Sequence, residues 1–215
     1  MFQLHYYPSN ASMAPHIVLR ELGVPFELKY VDRNKGEHKS AAYLKLNPNG
    51  LIPVLVDGEL ILYETAAILL HLIDTHPAAG LAPALGTAER AHFYKWLVWL
   101  SSTVQAMMPH YFYNDRMVAP GNAAGALEVR AQAEARIAAM VDQIDAHLAA
   151  RGGPWFLGER FSVLDPYAFM LCRWTRGMQR PARTLAHTGP FLERMLARPA
   201  TQKVLEVEGL AAPFV

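Results

Sequence analysis

"NPNGLIPVLVDGELILYETAAI", residues 47–68, decides how the first part of the chain folds. Asn47-Pro48 and Asn49-Gly50 mark turns. "IPVLV" and "ELILY" are two apolar runs joined at Asp57-Gly58, the strongest short hairpin signal in the chain. "TAAILLHLIDTH" follows as a buried-looking helix that Pro77 ends. Upstream, "FQLHYY" is a short strand, and "PFELKYVD" alternates so that Phe26, Leu28 and Tyr30 share one face. Between them lies a helix with Ile17, Val18 and Leu22 as its stripe, Ser12 as its expected cap, Pro15 in its first turn and Gly23 as its stop. Two strands separated by a helix run parallel, whereas a hairpin is antiparallel. The expected first domain is therefore α/β, with a mixed four-stranded sheet.

Beyond "PAAGLAPALG", 77–86, the pattern is helical. Phe93, Trp96, Leu100, Val104 and Met107 repeat at helical spacing, and Leu127, Ala131, Ile137, Val141, Ile144 and Leu148 mark a second long helix that "RGGP" ends. Shorter helices are expected near 163–177, 189–198 and 200–208. The expected organisation is an α/β domain over 1–77, a linker over 78–86 and an all-helical domain over 87–215. A length of 215 residues, 52% hydrophobic and 18% charged, builds a sizeable core. A net charge of +1 argues against nucleic acid or an anionic membrane as partner. The N-terminus lacks a signal-peptide pattern, no apolar run reaches spanning length, and the single Cys172 excludes an intrachain disulfide; a cytoplasmic location is the simplest expectation.

Several stretches carry candidate chemistry. Pro53 begins a strand; a cis bond there turns Ile52 outward, leaving its amide and carbonyl free for an extended peptide, although a plain turn explains the stretch as well. Glu64 and Thr65 stand between a strand and a helix, where Thr65 is an expected cap and the first amides form an anion site. Glu64 suits an ammonium group. An ordinary capped helix accounts for the pair equally well. Ser162-x-x-Asp165 in "FSVLDPY" reads as a capping box with Phe161 as its staple, a structural feature worth about 1 kcal/mol. The scattered histidines, such as His71 and His76, form no ligand cluster, so no metal is expected. Cys172 reads as core. "MMPHYFY", 107–113, suits either an apolar pocket wall or core packing. "YYPSNASMAPH", 6–16, offers two hydroxyls and an amide at a strand-to-helix junction, with no acid, lysine or cysteine.

Together, "YYPSNASMAPHIVLRELGVPFEL", "NPNGLIPVLVDGELILYETAAI" and "FLGERFSVLDPYAF" resemble the glutathione transferase family in order and spacing, over essentially the whole chain. "APHIVLRE" and "RWTRGM" bring it nearest to the bacterial beta-type members. The resemblance implies a thioredoxin-like N-terminal domain, an all-helical second domain and a homodimer. It implies that Ile52, before cis Pro53, pairs with the cysteinyl part of glutathione, that Glu64 and Thr65 hold its γ-glutamyl end, and that Lys35 or His38 reaches its glycyl carboxylate. Met108, Tyr111, Tyr113, Arg116 and Trp174 are the implied pocket for a small apolar electrophile.

The sequence departs from the beta-type pattern at two places. Ala11 occupies the position of that type's cysteine, so a mixed disulfide with glutathione is unavailable there. Gln105 stands in place of that type's histidine, with Thr103 and Ala106 in place of the charged neighbours that reach the partner subunit's glutathione, so the resemblance does not carry those cross-subunit contacts over to this chain. What is left is to hold bound glutathione as its thiolate. A free thiol titrates near 8.5, and one donated hydrogen bond to a charged group, worth about 1.5–3 kcal/mol, lowers that by about one to two units. Ser9, Asn10 and Ser12 are the candidate donors, in that order, with Ser12 also claimed by the helix cap. Conjugation to small apolar electrophiles is the expected activity. Glutathione-dependent disulfide reduction, dehalogenation and non-catalytic binding of apolar ligands are the alternatives.

Overall fold

The computed structural model describes all 215 residues. Strands β1 (Phe2–Tyr6), β2 (Phe26–Tyr30), β3 (Val54–Asp57) and β4 (Leu60–Tyr63) form one mixed sheet in the order β2-β1-β3-β4. β1 and β2 are parallel, from Phe2 opposite Phe26 to Tyr6 opposite Tyr30, because helix α1 (Met13–Leu22) crosses between them. β3 is antiparallel to both β1 and β4. In the hairpin, Gly58 takes the left-handed conformation (φ 60°) that a two-residue loop needs at its first position. Helix α2 (Ala41–Leu44) is a single turn capped by the Ser40 hydroxyl, and α3 (Thr65–Thr75) follows β4.

Two expected caps are corrected. Ser12 already has helical dihedrals (φ −67°, ψ −17°), so its hydroxyl cannot reach forward to the first amides of α1. It turns back instead, donating to the Tyr7 carbonyl at 3.2 Å and accepting from the Tyr7 amide at 3.3 Å. Thr65 is the first residue of α3 rather than its cap, and its hydroxyl lies 3.4 Å from the Ala11 carbonyl.

The helical part begins with α4 (Ala88–Trp99), which Thr87 caps through the Arg90 amide. It runs through one wide turn, Leu100–Gln105, into α5 (Ala106–Phe112). Next come α6 (Ala123–Arg151), α7 (Leu164–Trp174), α8 (Thr188–Ala197) and α9 (Pro199–Val207). Ala126, Ala133, Ile137, Val141, Ile144 and Leu148 form the buried face of α6. Leu127 and Ala131 do not belong to it: Leu127 is 65% exposed and Ala131 faces solvent. At 3.6 residues per turn, Ala126 is in phase with Ala133 while Leu127, one residue on, lies about 100° from Ala126.

α7 is buried on every side from Leu164 to Arg173. α1 packs against α3 on one side and against α7 and α9 on the other, so one apolar core runs from Leu4 and Ile17 through Leu100 and Phe169 to Val204. A fork of two bonds from Arg198, 2.6 and 2.7 Å, onto Glu21 fixes the start of α9 to the end of α1. The Arg198 guanidinium also lies 3.7 Å over the Phe161 ring. Helix α1 is thereby held from both halves of the chain.

Candidate active site

A cleft of about 430 Å³ opens where the β1–α1 junction, the loop before β3 and the end of α5 meet. Ser9, Asn10, Ala11 and Ile52 form its floor, and Met108, Phe112, Tyr113 and Trp174 form an apolar wall. The Ile52–Pro53 peptide is cis. Ile52 precedes β3, and its amide and carbonyl have no hydrogen-bond partner within the chain.

Ser9 is the most constrained residue of the floor. Its backbone is left-handed (φ 60°), which a residue with a Cβ adopts only when its surroundings impose it. Three distant groups do so. The Ser9 amide donates to Glu208 Oε2 at 2.9 Å, the Ser9 carbonyl accepts from Trp174 Nε1 at 3.1 Å, and Ser9 Oγ accepts from Arg173 Nη1 at 2.6 Å. Glu208 is fixed in turn by the buried His16 Nδ1 at 3.0 Å. Burial, then the charge of Arg176, pulls the Arg173 guanidinium down to about 10 against the opposing pull of Glu208, which still leaves it charged at neutral pH. With a cation on its lone pair, the Ser9 hydroxyl hydrogen remains available to the cleft.

Asn10 directs Oδ1 to the Ala11 amide at 2.6 Å, which leaves its NH₂ group for the cleft. Ser12 is corrected as a donor: it is fully buried, outside the cleft, and its only hydroxyl hydrogen is committed to Tyr7. His38 lines the cleft, whereas Lys35 stands off it, 79% exposed beside Asp32. Glu64, Thr65 and Pro53 sit outside the cleft itself, with Thr65 one contact away through Ala11. Among the expected wall residues, Met108, Tyr113, Arg116 and Trp174 line the space. Tyr111 is a correction; it is buried behind the wall, 3.4 Å from the Gly177 carbonyl, and accepts from Arg130.

Arg33, Lys39, Arg173, Arg176 and Glu208 are not among the residues expected at the site from the sequence. Arg33, Lys39, Arg116 and Arg176 line the cleft, with no aspartate or glutamate among its lining residues. Burial, followed by the charges of Arg33, Lys39 and Arg116, holds His38 below the usual imidazole range. Cys172 is buried, and burial pushes its thiol up to about 12.

The N-terminal domain model of glutathione S-transferases matches residues 2–74, and the C-terminal domain model matches residues 128–200. Glutathione S-transferase GST-4.5 of Xanthomonas campestris is 32% identical, over 97% of this chain and 99% of its own. The chain belongs to the glutathione S-transferase family. Glutathione S-transferase GstA of Escherichia coli O157:H7 is 31% identical, over 97% of this transferase and 99% of its own length. Among solved structures, a Sulfitobacter glutathione transferase homologue with bound glutathione superposes with a TM-score of 0.88 at 29% identity, covering 98% of this chain and 99% of the other. A beta-class transferase of Sphingomonas chungbukensis gives 0.82 at 29% identity, over 97% and 100%. No helix of this transferase is long and apolar enough to cross a membrane.

Proposed function

We propose that this transferase binds glutathione on the cleft floor and conjugates its thiolate to small electrophiles held against the apolar wall, with Ser9 donating the hydrogen bond that keeps the sulfur ionised. The observation that carries this reading is that Ser9 lines the cleft while its Oγ accepts from Arg173, which leaves its hydroxyl hydrogen to donate. A donor polarised by a cation stabilises an anion better than a free hydroxyl, and no general base is needed. The Asn10 NH₂ group is the second donor.

The unpaired backbone of Ile52 supports strand-like pairing with the cysteinyl residue of glutathione. Glu64 and Thr65, adjacent to Ala11, take the γ-glutamyl end, and His38 with Lys39 takes the glycyl carboxylate in place of Lys35. The working unit in this reading is a homodimer. Catalysed conjugation of 1-chloro-2,4-dinitrobenzene that saturates in glutathione is the expected result; a rate equal to the uncatalysed background contradicts the reading.

Ala11 supports conjugation over turnover through a protein thiol. The only cysteine is buried and held far above the pH at which a thiolate forms. Incubated with glutathione disulfide, the native protein is therefore expected to keep its intact mass, whereas Ala11→Cys gains one glutathionyl group. Both are read by mass spectrometry. Modification of the native protein would contradict the assignment of Cys172 to the core.

A further inference from the structure

Four cations line this cleft, Arg33, Lys39, Arg116 and Arg176. The chain as a whole carries a net charge of +1, yet Arg33, Lys39, Arg116 and Arg176 converge on one 430 Å³ space without an acidic side chain among its lining. None of the four is in an ion pair within 4 Å, although Lys29, Arg90, Arg151, Arg180 and Arg198 elsewhere are. Two of the four meet on a single ring. Arg33 donates from Nη2 to the Tyr113 hydroxyl at 2.8 Å, and Arg116 lies 4.6 Å over the Tyr113 ring. Arg33 also sits 5.6 Å from the Tyr7 ring. Beside them, the buried His38 Nδ1 has no partner.

Like charges gathered around one cleft repel unless an anion joins them, even where, as for Lys39 and Arg116, they are exposed. Glutathione bound as proposed brings its sulfur and one glycyl carboxylate to the cleft, its other carboxylate being matched by its own ammonium group. With the sulfur facing Ser9 and Arg173 and the glycyl carboxylate facing His38 and Lys39, Arg33, Arg116 and Arg176 are left without an anion; Arg176 donates to the Arg173 carbonyl, while Arg33 and Arg116 meet around Tyr113, beside the wall residues Phe112 and Met117. We propose that the electrophile carries a carboxylate on an aromatic or apolar body, with Arg33 and Arg116 receiving the carboxylate around Tyr113 and the wall receiving the body. The inference rests on the transferase reading above and replaces a purely apolar acceptor with an anionic one.

The test compares 4-chloro-3,5-dinitrobenzoate with its methyl ester. In both, the thiolate attacks the ring carbon that bears chlorine, a C–S bond forms, and chloride leaves with the C–Cl electron pair, so no oxidant or reductant is involved. Each rate is divided by the uncatalysed rate of the same electrophile, which removes its intrinsic reactivity. The native enzyme is expected to favour the acid. Arg116→Gln is expected to reduce the acid-to-ester ratio of kcat/KM about tenfold, with KM for glutathione within about twofold of native. Arg116→Lys keeps part of the preference. Calorimetry on the two S-aryl glutathione conjugates is expected to repeat the order, with the carboxylate conjugate bound more tightly by the native protein and the difference lost in Arg116→Gln. An equal ratio in native and Arg116→Gln protein overturns the inference while leaving the transferase reading intact. A raised KM for glutathione in Arg116→Gln also overturns it, by assigning the arginine to the glycyl carboxylate. Conjugation of neither electrophile overturns the transferase reading and this inference with it.

Discussion

Ser9→Ala is expected to lower kcat/KM for conjugation by about ten- to a hundredfold at pH below the depressed thiol pKa, and by about eight- to twenty-five-fold near neutral pH, with less effect on KM for glutathione. The magnitude follows from one hydrogen bond to a charged acceptor, about 1.5–3 kcal/mol, which is about one to two units of thiol ionisation at 1.36 kcal/mol per unit. The sign is set by which form the donor favours. A bound thiol held below its free value of about 8.5 reacts fully above its own depressed pKa and loses rate as pH falls through it. Removing the donor moves that acid limb upward, so the fold deficit is full below the depressed value and shrinks as pH rises from there toward about 8.5. It closes above about 9.5, where the sulfur is ionised in both proteins. Asn10→Ala is expected to cost less, because no cation stands behind its amide. Equal profiles for native and Ser9→Ala protein would assign the donor role elsewhere.

The second large effect concerns folding. Asp165 is fully buried; its Oδ1 accepts from the Phe156 amide at 2.7 Å and its Oδ2 from the Ser162 amide at 2.7 Å, with the Ser162 hydroxyl at 3.3 Å. Burial pushes the Asp165 carboxyl up to about 7 against the pull of these three bonds. An exposed helix cap is worth about 1 kcal/mol. Here truncation strands two buried amides, each costing about 1–3 kcal/mol, so Asp165→Ala is expected to lose about 2–6 kcal/mol in urea unfolding. Asp165→Asn keeps acceptor oxygen for one amide and is expected to fall between. A loss below about 1 kcal/mol for the alanine variant would mean that the amides find water or another acceptor.

The local physics of the fold was readable in the sequence. Asp57-Gly58 identified the hairpin and Gly23 the end of α1, because each acts within a few residues; the Ser162–Asp165 spacing identified the start of α7, but Val163 rather than Ser162 takes the cap position, while Asp165 still accepts from the Ser162 amide. The misjudged caps share one cause. Ser12 and Thr65 have the right chemistry for capping, but their backbones were already helical, and a dihedral one residue out redirects the hydroxyl. Leu127 failed because an apolar residue one position off the stripe is indistinguishable by composition.

Within the site, the β1–α1 residues were legible as a group, but the setting of Ser9 was not. Arg173, Trp174 and Glu208 reach it across 164 to 199 residues of sequence. Glu208 has no motif around it, and Arg173 lies in a helix whose other buried residues are mostly apolar. The four cations around the cleft come from separate stretches, and in a chain with nearly balanced charge their convergence is a property of the fold alone.

The most direct test is the ionisation of the bound thiol itself. Thiolate absorbance of the glutathione complex, titrated by ultraviolet difference spectroscopy, is predicted to give a pKa about one to two units below the free value of 8.5 in the native protein. In Ser9→Ala the same titration is predicted to return most of the way to the free value. A native complex that titrates near 8.5, or a Ser9→Ala complex that titrates with the native one, would contradict the account.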